Sequence, residues 1–125
     1  MGVGVQAGEP RRDRFHKDCP GWELYRHVAN RWGVLILSAL DEGPLRFHAV
    51  RDQVGGISEK VLSQNLRDLV RDGLLHREVE PSTPPKVTYS LTPLGDQLTA
   101  RVRVLLEWVG ANFDEVLAAR RHHDG

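Results

Sequence analysis

The sequence predicts a mainly helical α+β fold with one β-hairpin and a long C-terminal helix. Apolar residues recur at helical spacing through most of the chain. Residues 86–91 alternate strictly between polar and apolar after a proline-rich loop, which is typical of a hairpin strand. From Thr92 onward, one apolar stripe continues almost to the end of the chain. A length of 125 residues is enough for one domain with its own core.

Composition and charge exclude several classes of protein. The formal net charge is zero. An anionic partner could therefore bind only where positive charges are concentrated on one part of the surface. The chain has one cysteine, which excludes an intramolecular disulfide and favours a cytoplasmic location. No apolar segment approaches the roughly 20 residues that span a bilayer, so we expect no membrane association. Motifs for phosphate loops, metal ligands and catalytic nucleophiles are absent, so we expect neither an enzyme nor a cofactor or metal.

The first part of the chain predicts an arm followed by two helices. Residues 1–18 are rich in glycine and charge, and we expect a flexible N-terminal arm there. The folded domain is expected over 19–120. Pro20 suits the first turn of a helix, and the pattern predicts helices at about 20–29 and 31–41. The second is apolar nearly all round, which places it in the middle of the core.

A glycine pair precedes the helix around which the chain is organised. A short strand near 45–47 and a helix from Phe47 to Val54 are expected first, and Gly55-Gly56 then makes a tight turn. Ser58 is the expected N-cap of the next helix, and Gly73 its C-terminal stop. Two helices joined by so short a glycine turn form a helix-turn-helix.

The second helix of this pair has two unlike faces at about 100° per residue. Its apolar face contains Val61, Leu62, Leu66, Leu69 and Val70. Its outer face contains Lys60, Ser63, Gln64, Arg67 and Arg71. The acidic residues Glu59, Asp68 and Asp72 lie on the flanks, so the outer face suits the major groove of DNA. An amphipathic helix whose polar face is simply exposed to solvent would explain the same distribution of residues equally well.

The end of the chain predicts a wing and a dimerisation helix. Two strands around the loop at 81–85 form a hairpin directly after the recognition helix, which is the wing of a winged helix. We place Lys86 at the base of the wing, within reach of a phosphate. A helix capped by Thr92 should run to about Arg120, with a disordered polar tail at 121–125. Its apolar arc is too wide for one neighbour and predicts a homodimer, the alternative being packing within its own chain.

Several sequence blocks together resemble the HxlR-type winged helix-turn-helix transcriptional regulators. The blocks are CP at 19–20, VANRWGVLIL at 28–37, LRF at 45–47, GGISEKVLSQNLRDLVRDGLLHRE at 55–78, PPKVTYSLTPLG at 84–95, and Trp108. The resemblance covers roughly residues 19–110 and keeps the order and spacing of every block. One departure is that Ala29-Asn30-Arg31-Trp32 stands where the family usually has Gly-Gly-Lys-Trp.

The resemblance implies a bacterial homodimer that binds an inverted-repeat operator in double-stranded DNA. The residues placed on DNA are Arg46, Ser58, Lys60, Ser63, Gln64, Arg67 and Lys86. Gln64 is the best candidate to recognise a base, because a side-chain amide can pair with adenine through two hydrogen bonds. The expected dimer interface contains Trp22, Leu105, Trp108, Val109 and Phe113. The rival function class is a winged helix that contacts a protein and does not bind DNA.

Cys19 is a candidate sensor of small-molecule oxidants or electrophiles. The resemblance implies this role, because some family members use a cysteine at this position for it. A thiol beside a helix N-terminus also experiences the positive end of the helix dipole, which favours the reactive thiolate. The alternative is an idle thiol near the dimer interface.

Overall fold

The structure, a computed structural model, describes residues 19–125 as five α-helices and three short strands. In chain order the elements are α1 (Pro20–Val28), α2 (Arg31–Leu40), β1 (Leu45–Arg46), α3 (Phe47–Val54), α4 (Glu59–Arg71), β2 (Leu75–Glu80), β3 (Lys86–Leu91) and α5 (Pro93–Asp124). This order confirms the predicted fold class of a winged helix-turn-helix with a long C-terminal helix. The arm predicted over residues 1–18 lies outside the described residues.

α2 forms the centre of the core, as its apolar composition predicts. Ile36 and Leu37 are completely buried, and the helix packs against α1, α3, α4 and α5. Val50 of α3 and Leu62 of α4 are also completely buried against it. The core therefore orients both helices of the helix-turn-helix through α2.

Asn30 closes the junction between α1 and α2. Its side-chain oxygen accepts hydrogen bonds of 2.9 Å from the backbone N–H groups of Trp32 and Gly33, which caps α2. Its amide nitrogen donates to the carbonyl oxygens of Arg26 and His27 at 2.6 and 3.0 Å, which satisfies the end of α1. The residue that departs from the family pattern thus serves two helix ends at once.

The three strands form an antiparallel sheet in the order β1-β3-β2. Leu75 lies opposite Leu91 at the base of the hairpin, and Glu80 lies opposite Lys86 at its far end. Lys86 is therefore at the tip of the wing, and the prediction that it lies at the base was wrong. The reason is the register: Lys86 is the first residue after the loop at 81–85, so it is as far from the body as the strand allows.

α5 begins as predicted and ends later than predicted. Thr92 caps its first turn by accepting a hydrogen bond of 3.0 Å from the N–H of Gly95. The helix continues to Asp124, so the predicted end near Arg120 and the disordered tail at 121–125 were wrong. No proline or glycine lies between Arg120 and Gly125, so nothing in that segment interrupts the helix. Basic side chains in the last turn also complement the negative end of the helix dipole.

Only the first part of α5 packs on the body of the domain. Thr99 and Val102 are buried, and Arg103 donates two hydrogen bonds of 2.9 and 2.7 Å to the carboxylate of Asp41 at the end of α2. These guanidinium hydrogen bonds hold the pKa of the Asp41 carboxyl below its usual value. Beyond this contact, most side chains of α5 are exposed. Across residues 19–125, no helix has the length and hydropathy needed to cross a membrane.

Candidate nucleic-acid interface

Three local features fix the start of α4. Gly55 and Gly56 both have φ near +71°, a conformation that glycine adopts without the strain of a side chain. Ser58 accepts a hydrogen bond of 3.1 Å from the N–H of Val61, which confirms it as the N-cap. Arg51 of α3 donates to the Glu59 carboxylate at 2.6 Å across the turn. The predicted turn and cap are therefore present, and an ion pair that the sequence did not reveal joins the two helices.

One residue on the apolar face of α4 is not buried in the core. Leu62, Leu66 and Leu69 are at most 1% exposed, but Val61 is 39% exposed. Placing Val61 on the buried face was therefore wrong. On a helical wheel Val61 lies roughly 105° from the centre of the three buried leucines, which is the edge of the face that the core covers.

The predicted DNA-contacting side chains of α4 do not all share one environment. Lys60, Gln64 and Arg67 are exposed on the outer face, whereas Ser63 is half-buried at its edge. The Gln64 amide donates to Asp68 at 3.0 Å and accepts from Arg67 at 3.0 Å. Asp68 and Arg67 thus hold the side-chain amide of Gln64, which is the best candidate to recognise a base.

The remaining predicted contacts lie on the sheet and at the cap. Arg46 is exposed on edge strand β1, opposite Thr88, and Lys86 is exposed at the wing tip. Ser58 is exposed, and its hydroxyl oxygen already serves the helix cap. These side chains are spread over α4, the edge strand and the tip of the wing.

The two acidic residues near the end of α4 face α1. Nδ1 of His27 lies 2.5 Å from a carboxylate oxygen of Asp72, and Nε2 lies 3.9 Å from one of Asp68. The side chains of His27 and Asp72 are 19% and 17% exposed. The sequence analysis did not predict this contact. Asp68 and Asp72 are four residues apart, so they lie on the same side of the helix and can share a partner. Their spacing does not show which residue that partner is.

Cys19 occupies the N-cap position of α1. Its carbonyl oxygen accepts hydrogen bonds from the N–H groups of Trp22 and Glu23 at 3.0 and 3.2 Å, and the residue is half-buried. Trp22 stacks on Tyr25 with a ring-centroid distance of 5.3 Å. In residues 19–125 no group of three or more histidine, cysteine or acidic side chains could hold a metal ion.

Both α1 and α5 leave apolar side chains exposed. A groove of about 460 Å³ lies between them, lined largely by Leu24, Tyr25, Leu94 and Leu98. Further along α5, the predicted interface side chains project from the body. Their exposed fractions are 55% for Leu105, 59% for Trp108, 46% for Val109 and 52% for Phe113.

These features together define the class of the protein. A capped helix follows a glycine turn, exposes a polar face and precedes a two-stranded wing, which is the arrangement of winged helix-turn-helix proteins. The chain belongs to the HxlR-like helix-turn-helix family, whose family model matches residues 27–116. It is a transcriptional regulator of the helix-turn-helix type.

Named relatives agree with this assignment. The HTH-type transcriptional regulator YtfH of Escherichia coli strain K12 is 51% identical over 106 residues, which cover 85% of this chain and 84% of YtfH. The structure of the transcriptional regulator ytfH from Salmonella typhimurium is similar, with a TM-score of 0.80 and 48% identity over 86% of this chain and 96% of that one. The redox regulator HypR in its reduced form has a TM-score of 0.73 and 32% identity over 79% of this chain and 98% of that one.

The rotation of α4 can be tested with two neighbouring substitutions. Leu62→Ala should reduce the free energy of unfolding by about 2–5 kcal/mol, because it leaves a cavity in the core. Val61→Ala should cost less than about 1 kcal/mol, because that side chain is already partly in water. Urea denaturation followed by circular dichroism measures both. Equal losses would contradict the orientation of α4 described above.

Proposed function

We propose that the protein binds double-stranded DNA sequence-specifically, as a homodimer on an inverted-repeat operator. The observation that carries this proposal is the outer face of α4, where Lys60, Gln64 and Arg67 are exposed together. Base recognition is assigned to Gln64, and Lys60 and Arg67 bind guanine or phosphate. Arg46 and Lys86 bind the backbone on either side, Ser58 holds the start of the helix, and Ser63 contacts DNA from the edge of the face.

The distribution of acidic side chains supports a DNA-facing α4 in a chain of zero net charge. Glu59 is paired with Arg51, and Asp72 with His27. Asp68 accepts from the Gln64 amide and lies near His27. Neighbouring groups of the same chain thus engage each acid of α4, and the exposed cations determine the potential of the outer face.

Arg67→Ala should weaken binding to a duplex selected from a random pool by roughly 10- to 100-fold, because it removes a guanidinium from the groove-facing surface. Arg120→Ala, which removes an exposed guanidinium near the far end of α5, is the matched control and should leave the affinity unchanged. Fluorescence anisotropy with a labelled duplex measures both.

The same titration distinguishes DNA binding from the rival function. DNA binding through several cations weakens log-linearly as salt rises. Absence of duplex binding at low salt, together with a protein partner bound independently of salt, would replace this proposal with a protein-contact module. Unchanged affinity in Arg67→Ala would instead contradict the proposed docking of α4.

The apolar surface of α1 and α5 supports the homodimer. Side chains that are about half exposed recur on α5 from Leu94 to Phe113, next to the groove beside α1. Exposed apolar side chains grouped in this way are typical of an interface, and in symmetric assemblies a second copy covers them. Trp22, on α1, extends the proposed interface to the end of the domain where Cys19 lies.

Trp108→Asp should convert the dimer to monomers, because it places a charge at the centre of the apolar stripe of α5. Sedimentation equilibrium should then give a mass near the chain mass of 14.1 kDa, whereas the unsubstituted protein should give twice that mass. The control is Val79→Asp, which introduces the same charge at an exposed apolar position of the wing and should remain dimeric. A dimer that survives Trp108→Asp would remove this helix from the interface.

We further propose that Cys19 makes the regulator responsive to oxidants or electrophiles. The residue occupies the N-cap position of α1 and is only half-buried, so a small molecule in solution can reach the thiol. The similar protein HypR is named a redox regulator. Since the chain has one cysteine, a disulfide would need a thiol from a second molecule, such as Cys19 of the other subunit.

Cys19→Ser should abolish any change in duplex binding caused by diamide, which oxidises two thiols to a disulfide. The unsubstituted protein should lose or change binding on treatment and recover with excess dithiothreitol. Anisotropy titrations before and after treatment, with non-reducing gels run in parallel, measure the response and any disulfide-linked dimer. A response retained in Cys19→Ser would place the sensor elsewhere.

A further inference from the structure

A notch between the recognition helix and the wing is lined by three arginines. It has a volume of about 340 Å³. Arg67, Val70 and Arg71 line it from α4, and Arg77 and Tyr89 line it from the sheet. Arg71 and Arg77 are not among the DNA contacts expected from the sequence. Both are exposed, so the notch is open to a ligand from solution.

Within the described part of the chain, the three guanidinium groups have no acidic partner. Among residues 19–125 every ion pair within 4.0 Å uses Arg51, Arg103 or His27 as the cation. Arg67 donates only to the neutral amide of Gln64. Arg67 and Arg71 are four residues apart on one helix, where like charges repel. Such a cluster is stabilised by an anion, and no acidic side chain of residues 19–125 supplies one within 4.0 Å.

The register of the sheet explains why no acid reaches the notch from the wing. Arg77 lies directly opposite Tyr89, and opposed residues point to the same side of a sheet. Tyr89 is buried, so Arg77 is on the side that faces α4. Glu78 and Glu80 differ from Arg77 by one and three positions, so both point to the opposite side.

We propose that this notch holds a phosphodiester group of the DNA backbone, with Arg71 and Arg77 as additional DNA contacts. Guanidinium groups bind phosphate oxygens through paired hydrogen bonds, and the deoxyribose can pack on the apolar floor formed by Val70 and Tyr89. The contact joins the recognition helix and the wing to the same strand. It carries no sequence information, because phosphates are common to every base pair. This inference rests on the proposed DNA-binding function.

The test compares the salt dependence of duplex binding between variants. Each phosphate neutralised contributes roughly 0.9 to the slope of log affinity against log salt. A dimer has two notches, so Arg71→Gln with Arg77→Gln should reduce the slope by about 1.8. The affinity should fall by the same factor for a selected duplex and for a scrambled duplex. Arg71→Lys with Arg77→Lys should retain the slope, because the charges remain.

Two controls separate a phosphate contact from a structural role. Arg120→Gln removes an equivalent charge far from the notch and should leave the slope unchanged. The single substitution Arg77→Gln, at an exposed strand position, should also lower the slope, by up to about 1.8 if both arginines are needed for the phosphate. Thermal unfolding of each variant confirms that the comparison is made between folded proteins.

The possible results separate this inference from the function on which it rests. An unchanged slope in the glutamine variants, with steep salt dependence in the unsubstituted protein, would overturn the notch and leave DNA binding intact. A loss of affinity confined to the selected duplex would also overturn it, because a phosphate contact is independent of sequence. Failure of the unsubstituted protein to bind any duplex at low salt would overturn both.

Discussion

A junction centred on Thr92 holds the C-terminal end of the recognition helix, α4, against the start of α5. The Thr92 hydroxyl donates to the carbonyl of Gly73, just after α4, at 2.6 Å, and accepts from the N–H of Gly95 in the first turn of α5. The Thr92 N–H also donates to the carbonyl of Leu74 at 3.1 Å. One residue therefore ties the end of α4 and the end of the wing to the start of α5. In the proposed dimer, this junction fixes the angle between each recognition helix and the two-fold axis.

α1 provides a second connection to the same end of α4. Cys19 lies at its N-terminus, and His27 in its last turn contacts Asp72. The nine residues of the helix span about 13 Å, so a shift of α1 as a rigid rod would act directly on the recognition helix. The proposed sensor and the proposed DNA-binding face are thus linked by one helix and one partly buried polar contact. In this arrangement a modification of the Cys19 thiol that shifts α1 would act on α4 without a rearrangement of the core.

Local signals in the sequence were sufficient for most of the fold. The caps at Ser58 and Thr92, the glycine turn and the alternating strand each depend on neighbouring residues, so each could be predicted. Contacts between distant segments could not. His27 and Asp72 are 45 positions apart, and no periodicity relates them. The notch also depends on the sheet register, which places Arg77 beside α4 and Lys86 at the tip of the wing. The exposed edge position of Val61 likewise depends on how α4 is rotated against α2.

In the proposed complex, two copies of α4 enter successive major grooves at a distance fixed by the dimer. Hydroxyl-radical footprinting on a duplex selected from a random pool tests this claim most directly. We expect two protected patches on one face of the duplex, related by two-fold symmetry and centred about 10–10.5 base pairs apart, or 34–36 Å. A single protected patch, or two patches on opposite faces of the duplex, would contradict it.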